Sequence, residues 1–340
     1  MLIHIPEFVD HILSIPIDVT PIVQLKRMFL ALANYTPGRK YNAATCEIVR
    51  NDLLGCISPH SQEDAEEFLT VCVFAKLDTL YMSNRTNGTL QSLLHSFMIV
   101  TRGNLFQSNN CAGADDHPTQ NERNYLYRIS GLTADQPVQY YLAPRCETLT
   151  AGNYRVENGI TYQSIRTNIV QTGNYFMVNV KRFLPLDLGA NPPTFRKDTT
   201  SIHINNQLIP VPGQGTYSLQ GFIIHSGNYY GGHYAYVLKQ DNTTWRVFDD
   251  INNIESYTVT SVTTPESYIT IDGTQFTNIM RGLNINQNCY ILLYKRDTPV
   301  GVPPRITLDS IIAAELAANP AAPVPVVATR RTRKTRKHRR

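Results

Sequence analysis

Residues Gly221 to Asp250, GFIIHSGNYYGGHYAYVLKQDNTTWRVFDD, constrain the fold more than any other stretch. Two strand-forming runs are joined there by a break too short for anything but a hairpin. His233-Tyr234-Ala235-Tyr236-Val237-Leu238 and Thr244-Trp245-Arg246-Val247-Phe248-Asp249 are β-branched and aromatic, and Gln240-Asp241-Asn242-Thr243 between them has turn chemistry. A turn closed around Asp241 predicts Val237 opposite Trp245, Ala235 opposite Val247 and His233 opposite Asp249. Directly opposed side chains have Cβ atoms about 4.5 to 5.5 Å apart, so a carboxylate there accepts the imidazole N–H and fixes its tautomer. A one-residue slip substitutes Asp250, which leaves Asp249 the favoured partner and Asp250 its neighbour. An imidazole held this way deprotonates a Cys or Ser nucleophile. The plainer alternative is a satisfied His at a strand start beside a solvated acid.

The rest of the chain supplies a frame for that hairpin. Residues 1 to about 95 carry helical patterning. In Ser61 to Tyr81, Ala65, Phe68, Leu69, Cys72 and Ala75 recur at helical spacing; Ser61 is the expected N-cap, and Glu63, Asp64, Glu66 and Glu67 suit the positive end of the helix dipole. From 96 to 297 the pattern turns to strands: Asn174–Phe183, Tyr217–His225, His233–Leu238, Thr244–Phe248 and Cys289–Lys295, with Gly- and Asn-rich loops between them. Helices first and sheet later predict an α+β architecture, its chemical groups meeting where the two lobes face each other.

Hydrophobic residues at 42% and charged residues at 17% of 340 describe a chain able to build a core. No apolar run reaches membrane-spanning length, since Glu7, Asp10 and Asp18 interrupt the N-terminal stretch, and the same residues, with no basic n-region, argue against a signal peptide. Six scattered cysteines without CxxC spacing predict neither a disulfide framework nor a metal site, and make a cytoplasmic or nuclear compartment the default. Charge is uneven. Eight of the last eleven residues are Arg or Lys, which makes 330–340 a disordered basic tail behind an Ala/Pro-rich linker over 298–329 that contains a short helix near Leu308 to Ala318. Such a tail suits nucleic acid or a nuclear import receptor, or is simply solvated.

The hairpin also carries a family likeness. His225-Ser226-Gly227-Asn228-Tyr229-Tyr230-Gly231-Gly232-His233-Tyr234, followed by Trp245 and Phe248-Asp249-Asp250, closely resembles the histidine box of the ubiquitin-specific proteases. Ser61 to Leu69, SQEDAEEFL, looks like that family's Gln-Asp-Ala-x-Glu-Phe-Leu block; Phe176 to Phe183, FMVNVKRF, looks like its strand ending in Arg-Phe; Asn288 to Tyr294, NCYILLY, looks like its final strand. The four blocks come in family order and span most of residues 1 to 297.

The resemblance implies a papain-like cysteine-protease fold with helical thumb (1–95) and β-rich palm and fingers (96–297). It implies thiol-dependent hydrolysis after the C-terminal Gly of ubiquitin, with no cofactor. His233 becomes general base and then acid, Asp249 orients it, and Asp250 assists near the oxyanion. Gln62 and Asp64 fall near the ubiquitin tail. Tyr229, Tyr230, Gly231, Gly232 and Tyr234 would wall a channel too narrow for anything but a diglycine terminus.

Two departures accompany the likeness. The family's Asn-x-x-Cys box would fall roughly two helical turns before Met1, since Met1 to Phe8, MLIHIPEF, matches the part that follows it. None of Cys46, Cys56, Cys72, Cys111, Cys146 and Cys289 sits in a comparable turn. Either the reading frame begins upstream, the favoured expectation, or the product is a ubiquitin-binding pseudoenzyme; a nucleic-acid-associated protein acting through its tail is the third reading. The paired CxxC motifs that many members carry at the fingertips are also missing, and Cys111 stands alone in its loop.

Overall fold

Helix gives way to strand between Phe97 and Ile99, and the two halves are built by different rules. The computed structural model describes residues 1–15, 23, 25, 26, 64–113, 117–157, 159–187, 189, 194–229, 231–248, 257–263, 269–271, 284–298 and 306–318.

In the helical lobe Pro6 opens helix Pro6–Ser14 at a position where its missing N–H costs nothing, and Phe8 and Ile12, one turn apart, are buried. Asp64, not Ser61, caps the next helix: its Oδ1 accepts from the backbone N–H of Glu66 at 2.7 Å and of Glu67 at 3.2 Å. Ser61 lies outside the described residues. The chain then runs from Ala65–Glu67 through a π-helical stretch, Phe68–Phe74, into helix Ala75–Ser83. That widened stretch rotates the buried face relative to a regular helix. Leu69 and Cys72 are buried as their spacing predicts, but the stripe continues through Val73, Phe74, Leu77 and Tyr81, and Ala75 is exposed. Helix Gly88–Phe97, capped by Asn87, buries Leu90, Leu93, Leu94 and Phe97.

The strands in chain order are β1 (Ile99–Phe106), β2 (His117–Asn124), β3 (Tyr127–Ile129), β4 (Gln136–Pro137), β5 (Arg145–Thr148), β6 (Arg155–Glu157) and β7 (Ile160–Tyr162). Next come β8 (Ser164–Thr172), β9 (Tyr175–Val180), β10 (Phe183–Asp187), β11 (Thr194–Lys197), β12 (Ile202–His203) and β13 (Gln207–Leu208). The last six are β14 (Tyr217–Asn228), β15 (Gly231–Lys239), β16 (Thr244–Phe248), β17 (Tyr257–Thr263), β18 (Ile269–Ile271) and β19 (Cys289–Arg296). The palm is one sheet in the order β18-β17-β16-β15-β14-β19-β9-β3, with β13 added beside β14; the fingers are a four-stranded sheet in the order β2-β1-β8-β5.

Both faces of the central palm are covered. Tyr175, Met177, Ile291 and Leu293 turn toward the helical lobe, while Phe176, Val178, Leu292 and Tyr294 turn into a second core with Trp245 and Val247. All six residues of β9 are therefore buried, the pattern of a central strand rather than of an amphipathic one. Helix Leu308–Ala318 closes the far side of the helical lobe. Leu308, Ile311 and Ile312 join its core, Asp309 accepts from Tyr81 Oη at 2.8 Å and Gln91 Nε2 at 3.0 Å, and Leu308 N–H donates to His95 Nε2 at 2.8 Å. Residues 319–340, which include the basic tail, lie outside the described residues.

In the fingers one sequence expectation fails. Cys111 and Cys146 form a disulfide, with Cα atoms 5.7 Å apart. Their separation of 35 positions in sequence hid the pairing from a search for close spacing. What joins them is β8: Cys146 on β5 stands opposite Arg166 on β8, whose Nη2 donates to the Cys111 carbonyl at 2.9 Å.

Candidate active site

The histidine strand is shaped by its turn and its glycines. β14 and β15 form a hairpin with Asn228 opposite Gly231, Gly227 opposite Gly232, Ser226 opposite His233 and His225 opposite Tyr234. Gly227 has φ +104°, and a Cβ there would lie 2.5 Å from the Gly231 carbonyl oxygen. A Cβ at Gly232 would lie 2.1 Å from the Ser226 carbonyl oxygen and 2.4 Å from His225 Nε2. The two glycines thus let the hairpin end close tightly over His225. Tyr229, 46% exposed, stacks on Phe195 of β11 with ring centres 4.0 Å apart, so the turn is propped against the β10–β11 hairpin.

On the other side of β15 the expected register is displaced by two residues. Val237 pairs with Val247, Lys239 with Trp245 and Tyr236 with Phe248. The cause is the turn itself. Asp241 Oδ1 accepts from Thr243 N–H at 2.8 Å and Thr244 N–H at 2.7 Å, and Gln240 N–H donates to the Thr244 carbonyl, which moves the centre of the loop from residue 241 to 242. Val237 does not oppose Trp245, nor Ala235 Val247, and the register that placed His233 opposite Asp249 goes with them. A shift of two leaves the faces of the strand unchanged. Asp249 and Asp250 lie outside the described residues, as do Gln62 and Tyr230.

His233 is half-buried on β15, and its carbonyl accepts from Ser226 Oγ at 3.4 Å. Tyr234 is the next residue along and points to the other face of the strand, toward the helical lobe. There Asp64 gathers the junction. Its Oδ2 accepts from the Tyr290 hydroxyl, while Oδ1 caps the helix behind it. Burial, and then the Asp64 charge, push the Tyr234 and Tyr290 hydroxyls well above the ordinary phenol range, so both remain protonated donors. The first residues of the chain lie on the same strand pair: the His4 ring is 5.7 Å from Tyr236 and 4.5 Å from Phe248.

In and behind the histidine box lie two residues, His225 and Lys197 of β11, that the sequence did not assign a role. His225 is 3% exposed, packed 4.5 Å from the Tyr234 ring and 5.2 Å from Phe183, and among the described residues its Nδ1 has no partner. Burial, with the charge of Lys197 behind it and that of Asp64 opposing, lowers its pKa to about 4 and keeps it neutral. Lys197 Nζ donates to the His225 carbonyl at 2.6 Å and to Asn288 Oδ1 at 2.8 Å, and burial followed by the nearby Arg182 lowers its pKa to about 8. The available signal was a polar side chain at an inward position of an apolar strand run, Phe222-Ile223-Ile224-His225. Of the cysteines, Cys72 and Cys289 are free and buried, Cys111 and Cys146 are bonded, and Cys46 and Cys56 lie outside the described residues. Among the described residues no three His, Cys, Asp or Glu side chains gather as metal ligands.

A helical lobe docked on a central sheet, with a histidine strand and a glycine-lined hairpin end beside the junction, is the α+β arrangement of a papain-like hydrolase domain. The family model described as ubiquitin carboxyl-terminal hydrolase matches residues 1–294, and the chain belongs to that family. Two similar solved structures carry the same fold. One is the SAGA Ubp8/Sgf11/Sus1/Sgf73 DUB module bound to ubiquitin aldehyde, with a TM-score of 0.57, 16% identity, and coverage of 88% of this chain and 66% of that one. The other is the same module with a substituted Ubp8 bound to monoubiquitin, with a TM-score of 0.56, 17% identity, and coverage of 88% and 65%. This chain spans about two thirds of the length of each. No curated protein matches it at a significant level.

Proposed function

We propose that this chain is the ubiquitin-binding, histidine-bearing part of a thiol-dependent deubiquitinase that hydrolyses the bond after the C-terminal Gly of ubiquitin. His233 serves as general base toward the thiol and then as acid toward the leaving amine, Asp249 orients it, and Asp250 assists near the oxyanion. Asp64 and Gln62 face the ubiquitin tail, and Tyr229, Tyr230, Gly231, Gly232 and Tyr234 wall its channel. The body of ubiquitin rests on fingers and palm. Nucleophilic attack needs a thiol near His233.

The observation that carries this reading is the junction itself: Asp64 reaches Tyr290 beside Tyr234, and the tight glycine end of the hairpin stands next to His233. Both lobes thereby converge on one rim. The test is calorimetric titration with ubiquitin and with ubiquitin lacking its last two glycines. Saturable binding that weakens markedly for the truncated form is expected; equal binding of both, or of neither, sinks the proposal.

A second reading keeps the binding surface and drops the cleavage. On that reading the chain as written holds ubiquitin without cleaving it. An electrophilic ubiquitin probe separates the two, because covalent capture by this chain requires a competent Cys within it. The basic run at 330–340 would add a salt-sensitive attachment to nucleic acid or an import receptor, lost on its deletion.

A further inference from the structure

The fingertip is held by a covalent bond between two very different positions. Cys111 is 3% exposed and sits in the loop after β1 with φ +53°, a left-handed conformation that a side chain disfavours. Cys146 is exposed on β5, the outer strand of the fingers sheet, which pairs on one side only, with β8, over four residues. Apart from the disulfide, the loop is tied down by polar contacts. Cys111 N–H donates to Ser164 Oγ at 3.1 Å, Thr148 Oγ1 donates to the Asn109 carbonyl at 2.7 Å, and Arg166 donates to the Cys111 carbonyl. Three of the four residues of β5, Cys146, Glu147 and Thr148, are exposed, and Arg145 alone turns inward, over the rings of Tyr140 and Tyr141. The covalent tie described at this edge thus has its outer half facing solvent.

We propose that Cys111–Cys146 is a thiol-responsive latch at the fingertip, opened by a dithiol reductant that attacks at Cys146. The reductant's thiolate bonds to Cys146 Sγ and expels Cys111 as a thiolate, which takes up a proton. The reductant's second thiol then displaces Cys146 and leaves as an intramolecular disulfide, so two electrons pass to the protein pair and two cysteine thiols result. Opening frees the loop 107–113 from β5 and relieves the left-handed conformation at Cys111. The proposal rests on the ubiquitin reading only for its consequence: fingers that must be reordered bind ubiquitin more weakly.

The test compares the chain purified without reductant, the same chain after dithiothreitol, and Cys146→Ser. Alkylation read by mass spectrometry should label Cys111 and Cys146 only after reduction, and labelling of both beforehand overturns the proposal. Hydrogen exchange in segments 107–113 and 145–150 should accelerate at least tenfold on reduction while β9 and β19 stay unchanged; no acceleration overturns it without reference to any ligand. Ubiquitin should bind the reduced chain and Cys146→Ser at least threefold more weakly than the oxidised chain. Equal affinity with accelerated exchange removes the link to binding and leaves the ubiquitin reading intact, whereas absence of binding in every form condemns that reading and leaves the latch to the exchange result.

Discussion

Palm and fingers are both sheets, antiparallel except where β3 joins β9 at the palm's edge, yet they are held together by opposite means. The palm's central strands are buried on both faces, and even one charged side chain is interior: Arg182 is fully buried and donates to the carbonyls of Cys289, Asp198, Thr200 and Asn286. The fingers expose alternate residues along β2, keep only short strands at the β5 edge, and rely on polar contacts and a disulfide. In a sheet with two cores an unpaired polar group such as His225 Nδ1 is costly, whereas a sheet with one solvated face leaves such groups to water. Substitutions should therefore be costly in the palm and mild in the fingers.

The largest effect is expected at Arg182. Among the described residues no carboxylate pairs with it; its donors satisfy backbone carbonyls that join the end of β9, the segment 198–200 and the start of β19. Arg182→Ala leaves several of those carbonyls orphaned in an interior, at roughly 1–3 kcal/mol each, so a loss of at least about 3 kcal/mol is expected in urea unfolding. A loss below 1 kcal/mol would mean that water reaches these carbonyls and that the palm is not the dry body described above. Next comes Tyr290, at the junction of palm and helical lobe. Tyr290→Phe keeps the ring and removes the donor to Asp64, a hydrogen bond to a charged group worth about 1.5–3 kcal/mol. Asp64 retains its two capping bonds to Glu66 and Glu67, so the helical run that begins at Ala65 should stay formed by circular dichroism even as stability drops.

How much of this was legible in the sequence divides along the same line. The palm strands announced themselves because β-branched and aromatic residues crowd them, and the family blocks lie in those strands. Asp64 was legible as part of such a block, though its capping role was assigned to Ser61; both are good caps, and only the chain's path decides between them. The β15–β16 register missed by two residues because Asp241 folds its side chain onto the turn backbone, a local bond that strand propensity does not encode. The π-helical stretch shifted the buried stripe from Ala75 to Val73 and Phe74 for a similar reason: a change of pitch leaves little trace in the residues that undergo it. Cys111–Cys146 was missed because its two halves meet only through β8, a contact of tertiary origin.

The palm's buried histidine predicts a pH dependence that the fingers should not share. His225 has its pKa lowered by burial to about 4, from 6.5 for a free imidazole. Between those values the unfolded chain binds a proton that the folded chain refuses. The stability contribution is thus complete above about pH 6.5 and is lost as pH falls toward 4, with a slope of at most about 1.4 kcal/mol per pH unit for one site. His4, lowered to about 4 mainly by burial, and His95, lowered for the same reason, add the same sign. Urea midpoints measured from pH 7.5 to 4.5 should fall throughout, and His225→Gln should flatten part of the fall. An unchanged slope in that variant would place His225 in contact with water in the folded state.

The smallest effect belongs to the fingers. His117 on β2 and Glu157 on β6 lie 2.5 Å apart with side chains 36% and 38% exposed, and the His117 ring stacks on Tyr162 at 5.6 Å. Both ends of this pair reach solvent, where the gain from the contact is set against the entropy of holding two side chains and is screened by salt. His117→Gln should cost no more than about 1 kcal/mol at low ionic strength and nothing measurable in 1 M salt, where the screening length is about 3 Å. Set against Arg182→Ala, that gives two polar substitutions in sheets of one molecule that differ severalfold in cost. If His117→Gln proved as damaging as a palm substitution, and salt did not relieve it, the fingers would have to be a second closed body rather than an open sheet stitched at its tip.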